Sequence, residues 1–316
     1  MNILILGGDG FIGSHFVDQA VALNHNVTVF DRFPYNVSKN LEHQREKIKI
    51  LTGEFANRDQ VAKALEGQDI VYHFISATNP ATSWHDPLVE IETNLKQSVQ
   101  LFSLAVEMGV KKIVFPSSGG AVYGRRCGII NEEKTSLPFN PYGITKLAIE
   151  HFLNYFHEYS GIAADIYRIG NAYGPRQPMD TPQGVIAVWI GKILADEEVV
   201  VYGDSQTLRD YVYAEDVSYL LTHSLSDFNS SDIYNLGTGR GVSILELLDI
   251  FSLMIDKPFK YKICKCRNFD NKSVILDNSK LLSNFPGFKF QKIEDKIKGT
   301  WLCVRGRYEN KQRKFA

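Results

Sequence analysis

A run of glycines near the start of this sequence can hold an anion, and a tyrosine–lysine pair near its middle can move a proton. Leu6-Gly7-Gly8-Asp9-Gly10-Phe11-Ile12-Gly13 sets glycines at 7, 10 and 13 directly after an apolar stretch. Such a turn lets backbone N–H groups and a helix N-terminus approach a pyrophosphate where a Cβ would collide, and the helix dipole favours the negative charge. Phe11 and Ile12 belong to the same cradle. The pattern gains meaning from its place between strand and helix; alone it also reads as a tight structural turn. Asp31 follows 18 positions after Gly13, near the spacing at which an acid binds the adenosine ribose hydroxyls of a dinucleotide. Its charge repels a 2′-phosphate and favours NAD, whereas Arg32 beside it could accept that phosphate and leaves NADP open.

The proton-moving stretch is Asn140-Pro141-Tyr142-Gly143-Ile144-Thr145-Lys146. Asn140 suits a helix N-cap and Pro141 the first helical position. Tyr142 and Lys146 then share one helical face. A phenol with an ordinary pKa of about 10 is a poor base at neutral pH. An adjacent ammonium and a cationic nicotinamide both stabilise the phenolate, so the pair can serve as a tuned acid/base. Without the glycine loop upstream, the same spacing would describe two surface residues.

Both stretches need a scaffold, and the first two thirds of the chain supply its pattern. Short apolar runs alternate with segments of helical period, the mark of βαβ units and a parallel sheet. The expected strands are Asn2 to Leu6, Asn26 to Phe30, Ile48 to Leu51, Ile70 to Phe74, Lys112 to Phe115 and Ala164 to Arg168. The expected helices are Ile12 to Leu23, Asp59 to Leu65, Leu88 to Met108 and Pro141 to Tyr159. Runs such as ILIL and IVF are continuously apolar, as strands buried on both faces must be. The fold class is therefore α/β, a Rossmann-type doubly wound parallel sheet with a smaller α/β C-terminal domain. After Arg168 the rhythm loosens into proline and glycine around Gly174 to Gly184 and a helix near Val185 to Leu194. We place a cofactor domain at 1–170 and a mainly substrate-side domain at 171–316, with return segments to the sheet expected near 210–213 or 233–236.

Composition narrows the class further. The chain has 316 residues, 44% hydrophobic and 22% charged, ordinary globular usage that disfavours collagenous, disordered and disulfide-scaffold readings. Lys and Arg number 35 against 36 Asp and Glu, so no global field draws it to nucleic acid. The basic tail Arg305, Arg307, Lys311, Arg313 and Lys314 reads as a solvated frayed end. Cys127, Cys264, Cys266 and Cys303 are too few for a disulfide framework in a chain this long. Cys264-Lys265-Cys266 lacks a second ligand pair, so no metal is expected. No segment approaches about 20 apolar residues and no export signal is evident. A cytoplasmic protein with no membrane partner is expected, and the sequons at Asn36, Asn229 and Asn271 read as chance matches.

Taken together, the motifs resemble the extended short-chain dehydrogenase/reductases of the NAD-dependent nucleotide-sugar epimerase/dehydratase family, closest to the UDP-glucose 4-epimerase type. The residues that carry the resemblance are the glycine loop, Ser117-Ser118-Gly119-Gly120-Ala121-Val122-Tyr123-Gly124, Tyr142-x-x-x-Lys146, Asn171-Ala172-Tyr173-Gly174-Pro175-Arg176-Gln177 and Arg209-Asp210-Tyr211-Val212-Tyr213. The resemblance implies a nucleotide-sugar 4-epimerase that transiently oxidises sugar C4, with Tyr142 as acid/base and Lys146 lowering its pKa and holding the nicotinamide ribose. The family's third catalytic hydroxyl falls on Gly119; Ser118 or Ser117, just past the strand, could supply it, the alternative being that they only cap a turn. Dehydratases and decarboxylases of the family carry an acid in this segment; Gly-Gly-Ala at 119–121 disfavours dehydration.

The same resemblance implies NAD contacts at Glu54, Phe55 and Ser76, with Ala77 and Thr78 as small neighbours and His73 as a satisfied strand residue. It puts the nucleotide diphosphate on Asn171, Arg209 and Arg267, where guanidinium forks suit phosphate oxygens. Val274 matches the gate beside the sugar C2 substituent. A homodimer through the helices Leu88 to Met108 and Pro141 to Tyr159 is also implied. Two alternatives stand beside the epimerase: an NAD(P)H-dependent 4-keto-6-deoxyhexose reductase on a dTDP- or CDP-sugar, and a non-catalytic NAD-binding protein.

Overall fold

The computed structural model describes residues 1–34, 38–181, 183–203, 207–229, 231–264 and 273–315. Its main sheet contains β1 (Asn2–Leu6), β2 (Asn26–Asp31), β3 (Ile48–Thr52), β4 (Ile70–His73) and β5 (Lys112–Ser118). After the short β6 (Gly128–Ile130), β7 (Ala163–Ile169) joins the same sheet. The remaining strands are β8 (Asn171–Tyr173), β9 (Val199–Tyr202), β10 (Leu208–Tyr213), β11 (Asp232–Leu236), β12 (Gly241–Ser243), β13 (Tyr261–Cys264) and β14 (Val274–Leu276). The seven-stranded sheet runs β11-β7-β5-β4-β1-β2-β3, all pairs parallel. The order reverses at β1, where β2 and β4 flank it with Ile3 opposite Val27 on one side and Ile70 on the other. Ligands of such sheets bind at the carboxyl ends of the strands beside this reversal.

The helices are α1 (Phe11–Ala22), α2 (Arg58–Leu65), α3 (Pro80–His85), α4 (Pro87–Val89), α5 (Lys96–Glu107), α6 (Gly119–Val122) and α7 (Pro141–Ser160), followed by α8 (Val185–Leu194), α9 (Ala214–Leu220), α10 (Ile244–Met254), α11 (Ser279–Leu282) and α12 (Ile293–Phe315). Successive side chains of β1 point to opposite faces: Ile3 and Ile5 enter one core with Phe16, Tyr72 and Val217, while Leu4 and Leu6 enter another with Leu101, Phe115 and Leu153. Both faces are therefore covered, and a strand so placed has no reason to alternate with polar residues. A third core gathers Trp189, Phe251, Ile297 and Trp301 from α8, α10 and α12.

Three expectations change. The single helix expected over Leu88 to Met108 is composite: between α4 and α5 the residues Glu90–Leu95 form a π turn. Of the two expected return segments, Asp232–Leu236 joins the main sheet beside β7, whereas β10 joins a five-stranded sheet with β12, β14, β6 and β8. Apolar alternation marks a strand but does not say which sheet it pairs with. At its first two basic residues the tail is also helical and paired rather than frayed. Arg305 pairs with Asp256 at 3.2 Å and Arg307 donates to Asn40 Oδ1 at 3.1 Å, both from α12.

Candidate active site

The glycine loop is shaped by contacts that only hydrogen side chains allow. Gly7 has φ of +76°, and a Cβ there would sit 3.0 Å from the Ile75 nitrogen. A Cβ on Gly13 would lie 2.4 Å from the Gly7 carbonyl oxygen, so the third glycine brings α1 against the turn. Helix α1 begins after Gly10 with no side-chain cap and no acidic residue in its first turn. Its first N–H groups and positive dipole end thus face outward, ready for an anion. Sequence reading missed Asp9 in this loop. Its buried carboxylate accepts from Ser38 Oγ at 2.6 Å and from the Lys39 and Asn40 N–H groups, both at 2.9 Å, tying the cradle to the segment after β2.

Asp31 ends β2 and accepts the N–H groups of Asp9 at 3.1 Å and Arg32 at 2.8 Å. Burial raises its carboxyl above the usual range despite these bonds. Arg32 is exposed and Asp31 half-buried, so the aspartate sits deeper at the loop. The groups that this cradle fits are a pyrophosphate and an adenosine ribose. Phe55 is half-buried with its ring 5.0 Å from that of His73, whereas the Glu54 side chain is exposed. His73 is buried, with Nε2 2.9 Å from Ser98 Oγ and Nδ1 without a partner among the described residues; burial lowers its pKa to about 3.

Helix α7 starts as its sequence dictates. Asn140 Oδ1 accepts the Gly143 N–H at 2.8 Å with Pro141 at the first helical position. A Cβ on Gly143 would lie 2.8 Å from the Ala121 carbonyl oxygen, so this glycine lets α7 close on α6 and the end of β5. Lys146 is buried; its Nζ donates to the Pro116 carbonyl at 3.1 Å and lies 5.7 Å from the Tyr142 ring centroid. Desolvation lowers its pKa to about 8, opposed by Glu90 and Glu150. Tyr142 moves the other way from the expectation. Burial raises the phenol pKa, the Glu90 carboxylate raises it further, and only the Ser118 hydroxyl, within hydrogen-bonding reach, relieves it. The Lys146 ammonium is turned to a backbone carbonyl, so the chain's own charges do not create a phenolate.

The two serines separate. Ser118 ends β5, half-buried and near Tyr142. Ser117 points to the opposite face, where it donates to Glu150 Oε1 at 2.5 Å; Glu150 also pairs with Arg168 at 2.7 Å. Ser117 is thereby consumed by a buried structural network and does not meet Tyr142. At Gly119, where the resemblance places the missing hydroxyl, a Cβ would lie 2.6 Å from a Leu276 methyl carbon and 3.0 Å from the Arg168 carbonyl oxygen. Leu276 of β14 occupies that space.

On the substrate side, Asn171 of β8 lies opposite Tyr211 of β10, and two residues earlier on β10 Arg209 lies opposite Val274 of β14. The five-stranded sheet therefore gathers Asn171, Arg209 and Val274, three of the four expected contacts, across three strands. Arg267 lies outside the described residues. Ser76, expected beside the cofactor, lines a small cavity together with Lys146, Glu90 and Asn94. Glu90 and Asn94 carry no sequence signal: polar residues on an amphipathic helix read as a solvated face. Ile75 joins this cavity to the cradle, since it lines one and packs on Gly7 of the other.

Comparison with known proteins defines the class. Residues 3–237 match the model of the NAD dependent epimerase/dehydratase family, and the chain belongs to that family. Within it, the chain is similar to the UDP-glucose 4-epimerases. A putative UDP-glucose 4-epimerase of Methanocaldococcus jannaschii is 32% identical over 78% of this chain and 80% of its own. The crystal structure of Thermotoga maritima UDP-glucose 4-epimerase with UDP-glucose superposes with a TM-score of 0.88 at 30% identity, covering 98% of this chain and 100% of that one. A dTDP-4-dehydro-6-deoxyglucose reductase of Escherichia coli is 28% identical over 81% of this chain and 82% of its own. Among the described residues no helix is long and apolar enough to cross a membrane.

Proposed function

We propose that the protein is a nucleotide-sugar 4-epimerase of the UDP-glucose/UDP-galactose type. The observation that carries this reading is the convergence of Tyr142, Ser118 and Lys146 at the carboxyl end of β5, beside a glycine cradle linked to them through Ile75. Gly7, Gly10 and Gly13 with the start of α1 would hold the NAD pyrophosphate, Asp31 its adenosine ribose, and Lys146 the nicotinamide ribose. NAD, when bound, would supply the hydride acceptor and donor for sugar C4. Tyr142 takes the proton of the 4-hydroxyl and later gives it back, a role in which a positive charge beside the phenol would supply the stabilisation that the chain's own charges withhold from the phenolate. Ser118 donates to or accepts from the same sugar oxygen, and Asn171 and Arg209 hold the diphosphate. In this reading residues 1–170 with the β11 return form the cofactor unit, and most of the remainder forms the sugar-nucleotide unit.

The similarity to the reductase supports a second reading, a 4-keto-6-deoxyhexose reductase, in which the same residues run half of the cycle. Incubation with UDP-, dTDP-, CDP- and GDP-sugars, with and without NAD(P)H, separates the two. The epimerase interconverts UDP-glucose and UDP-galactose with no net change at 340 nm, and Tyr142→Phe abolishes it. Stoichiometric NAD(P)H loss on a 4-keto sugar, or wild-type epimerisation by Tyr142→Phe, refutes the first reading.

We also infer a homodimer. Leu88 and Ile91 before α5, with Phe152, Tyr155 and Tyr159 on α7, leave large apolar side chains exposed at helical spacing. Such stripes bury against a partner.

A further inference from the structure

Glu90 is a carboxylate of this site that the proposed reaction does not use. It is buried at 1% exposure, and the π turn Glu90–Leu95 places it. Turns of this kind are rare and collect at functional sites. The Thr78 hydroxyl donates to one Glu90 oxygen and Asn94 Nδ2 to the other at 2.9 Å. Asn94 Nδ2 also donates to Thr78 Oγ1 at 2.8 Å, and Asn94 Oδ1 accepts the Ala77 N–H at 2.9 Å. These bonds join the 77–78 segment to the turn and fix the carboxylate. It lines the same cavity as Lys146.

A buried carboxylate facing a buried ammonium and a phenol must act on both, because water does not screen it there. We propose that Glu90 is a positioning residue for the Tyr142–Lys146 pair: its carboxylate holds Lys146 as the ammonium and disfavours the Tyr142 phenolate, and Thr78 and Asn94 keep it in place. The directions agree with this arrangement, since Glu90 raises the pKa of both groups. The other titratable groups facing the pair are Glu150 on α7 and His73 on β4. Glu150 is bound by Arg168, and His73 is kept neutral by burial, with a pKa of about 3. Glu90 therefore adds to the threshold that burial sets: Tyr142 stays a neutral phenol until a positive charge, such as an oxidised nicotinamide, arrives beside it.

Glu90→Gln removes the charge and keeps the shape. Its amide oxygen can accept from Asn94, and its NH₂ can donate to Thr78 Oγ1, which then only accepts. The direct readout is ¹³C-lysine NMR of the cofactor-free protein, with Lys146 assigned as the resonance lost in Lys146→Met. In the wild type it titrates near 8, as burial and its neighbours dictate. In Glu90→Gln the midpoint falls by about one pH unit, the size of a single buried charge at short range, while Glu90→Asp restores it. The turnover readout rests on the epimerase reading. Both limbs of the pH profile of kcat/KM shift to acid together, which a merely structural loss would not cause. Glu90→Leu serves should the amide disturb packing. An unmoved Lys146 midpoint in either folded variant overturns the proposal. Failure of the epimerase reading would appear separately, as undiminished epimerisation by Tyr142→Phe.

Discussion

Replacing Gly119 by serine returns a hydroxyl to the position where the family carries one, and the packing of this chain should deny it any use. The added Cβ would lie 2.6 and 2.8 Å from the two Leu276 methyl carbons and 3.0 Å from the Arg168 carbonyl oxygen. Carbon pairs are comfortable at about 3.5–4.0 Å, so Leu276, 1% exposed, must move by about 1 Å in a core without free space. Overpacking of this kind costs about 1–3 kcal/mol, which corresponds to a fall in Tm of about 2–8 °C. Leu276→Ala alone costs about 2–5 kcal/mol through the cavity that it leaves. In the double variant the serine enters that cavity, so the combined cost falls short of the sum by about 1 kcal/mol. Thermal unfolding of the four proteins gives the cycle, and turnover on UDP-glucose gives the chemistry. Ser118→Ala should lower turnover more than tenfold, and adding Gly119→Ser should not restore it. Additive costs within about 0.5 kcal/mol would refute the steric account, and rescue of Ser118→Ala by Gly119→Ser would refute the assignment of the hydroxyl to Ser118.

Two further outcomes are expected. Asp31 has its pKa raised on folding by burial; a raised group contributes its full stability below the unfolded pKa and loses it as pH rises through the folded value. Asp31→Asn should therefore melt at or above the wild type at neutral pH, lose that advantage in acid, and bind NAD more weakly by calorimetry; an unchanged affinity would remove Asp31 from the cradle. Tyr155→Glu with Tyr159→Glu should convert a dimer to a monomer in sedimentation, because two charges cannot be buried unpaired against an apolar stripe; a monomeric wild type would exclude the homodimer.

What could be read along the chain is what depends on local pattern. Continuous apolar runs mark β1 and β5 because parallel strands covered on both faces need no polar residues. Gly7 and Gly13 announce the cradle because a left-handed φ at one and a 2.4 Å approach at the other disfavour a Cβ, and Asn140-Pro141 announce the start of α7 because caps are local chemistry. Spacing alone sets Tyr142 and Lys146 on one face. Contacts between distant segments belong to the tertiary structure. Ser117 and Ser118 are neighbours with the same side chain, and only the alternation of β5 against α7 sends one to Glu150 and the other to Tyr142. Gly119 looks like the loss of a catalytic hydroxyl until Leu276, more than 150 positions away, is seen to fill its space. Glu90 looks like a solvated helix residue until a π turn buries it beside Lys146. The direction in which the Tyr142 pKa moves is decided in the same way, because burial and a distant carboxylate outweigh a lysine four residues along the helix.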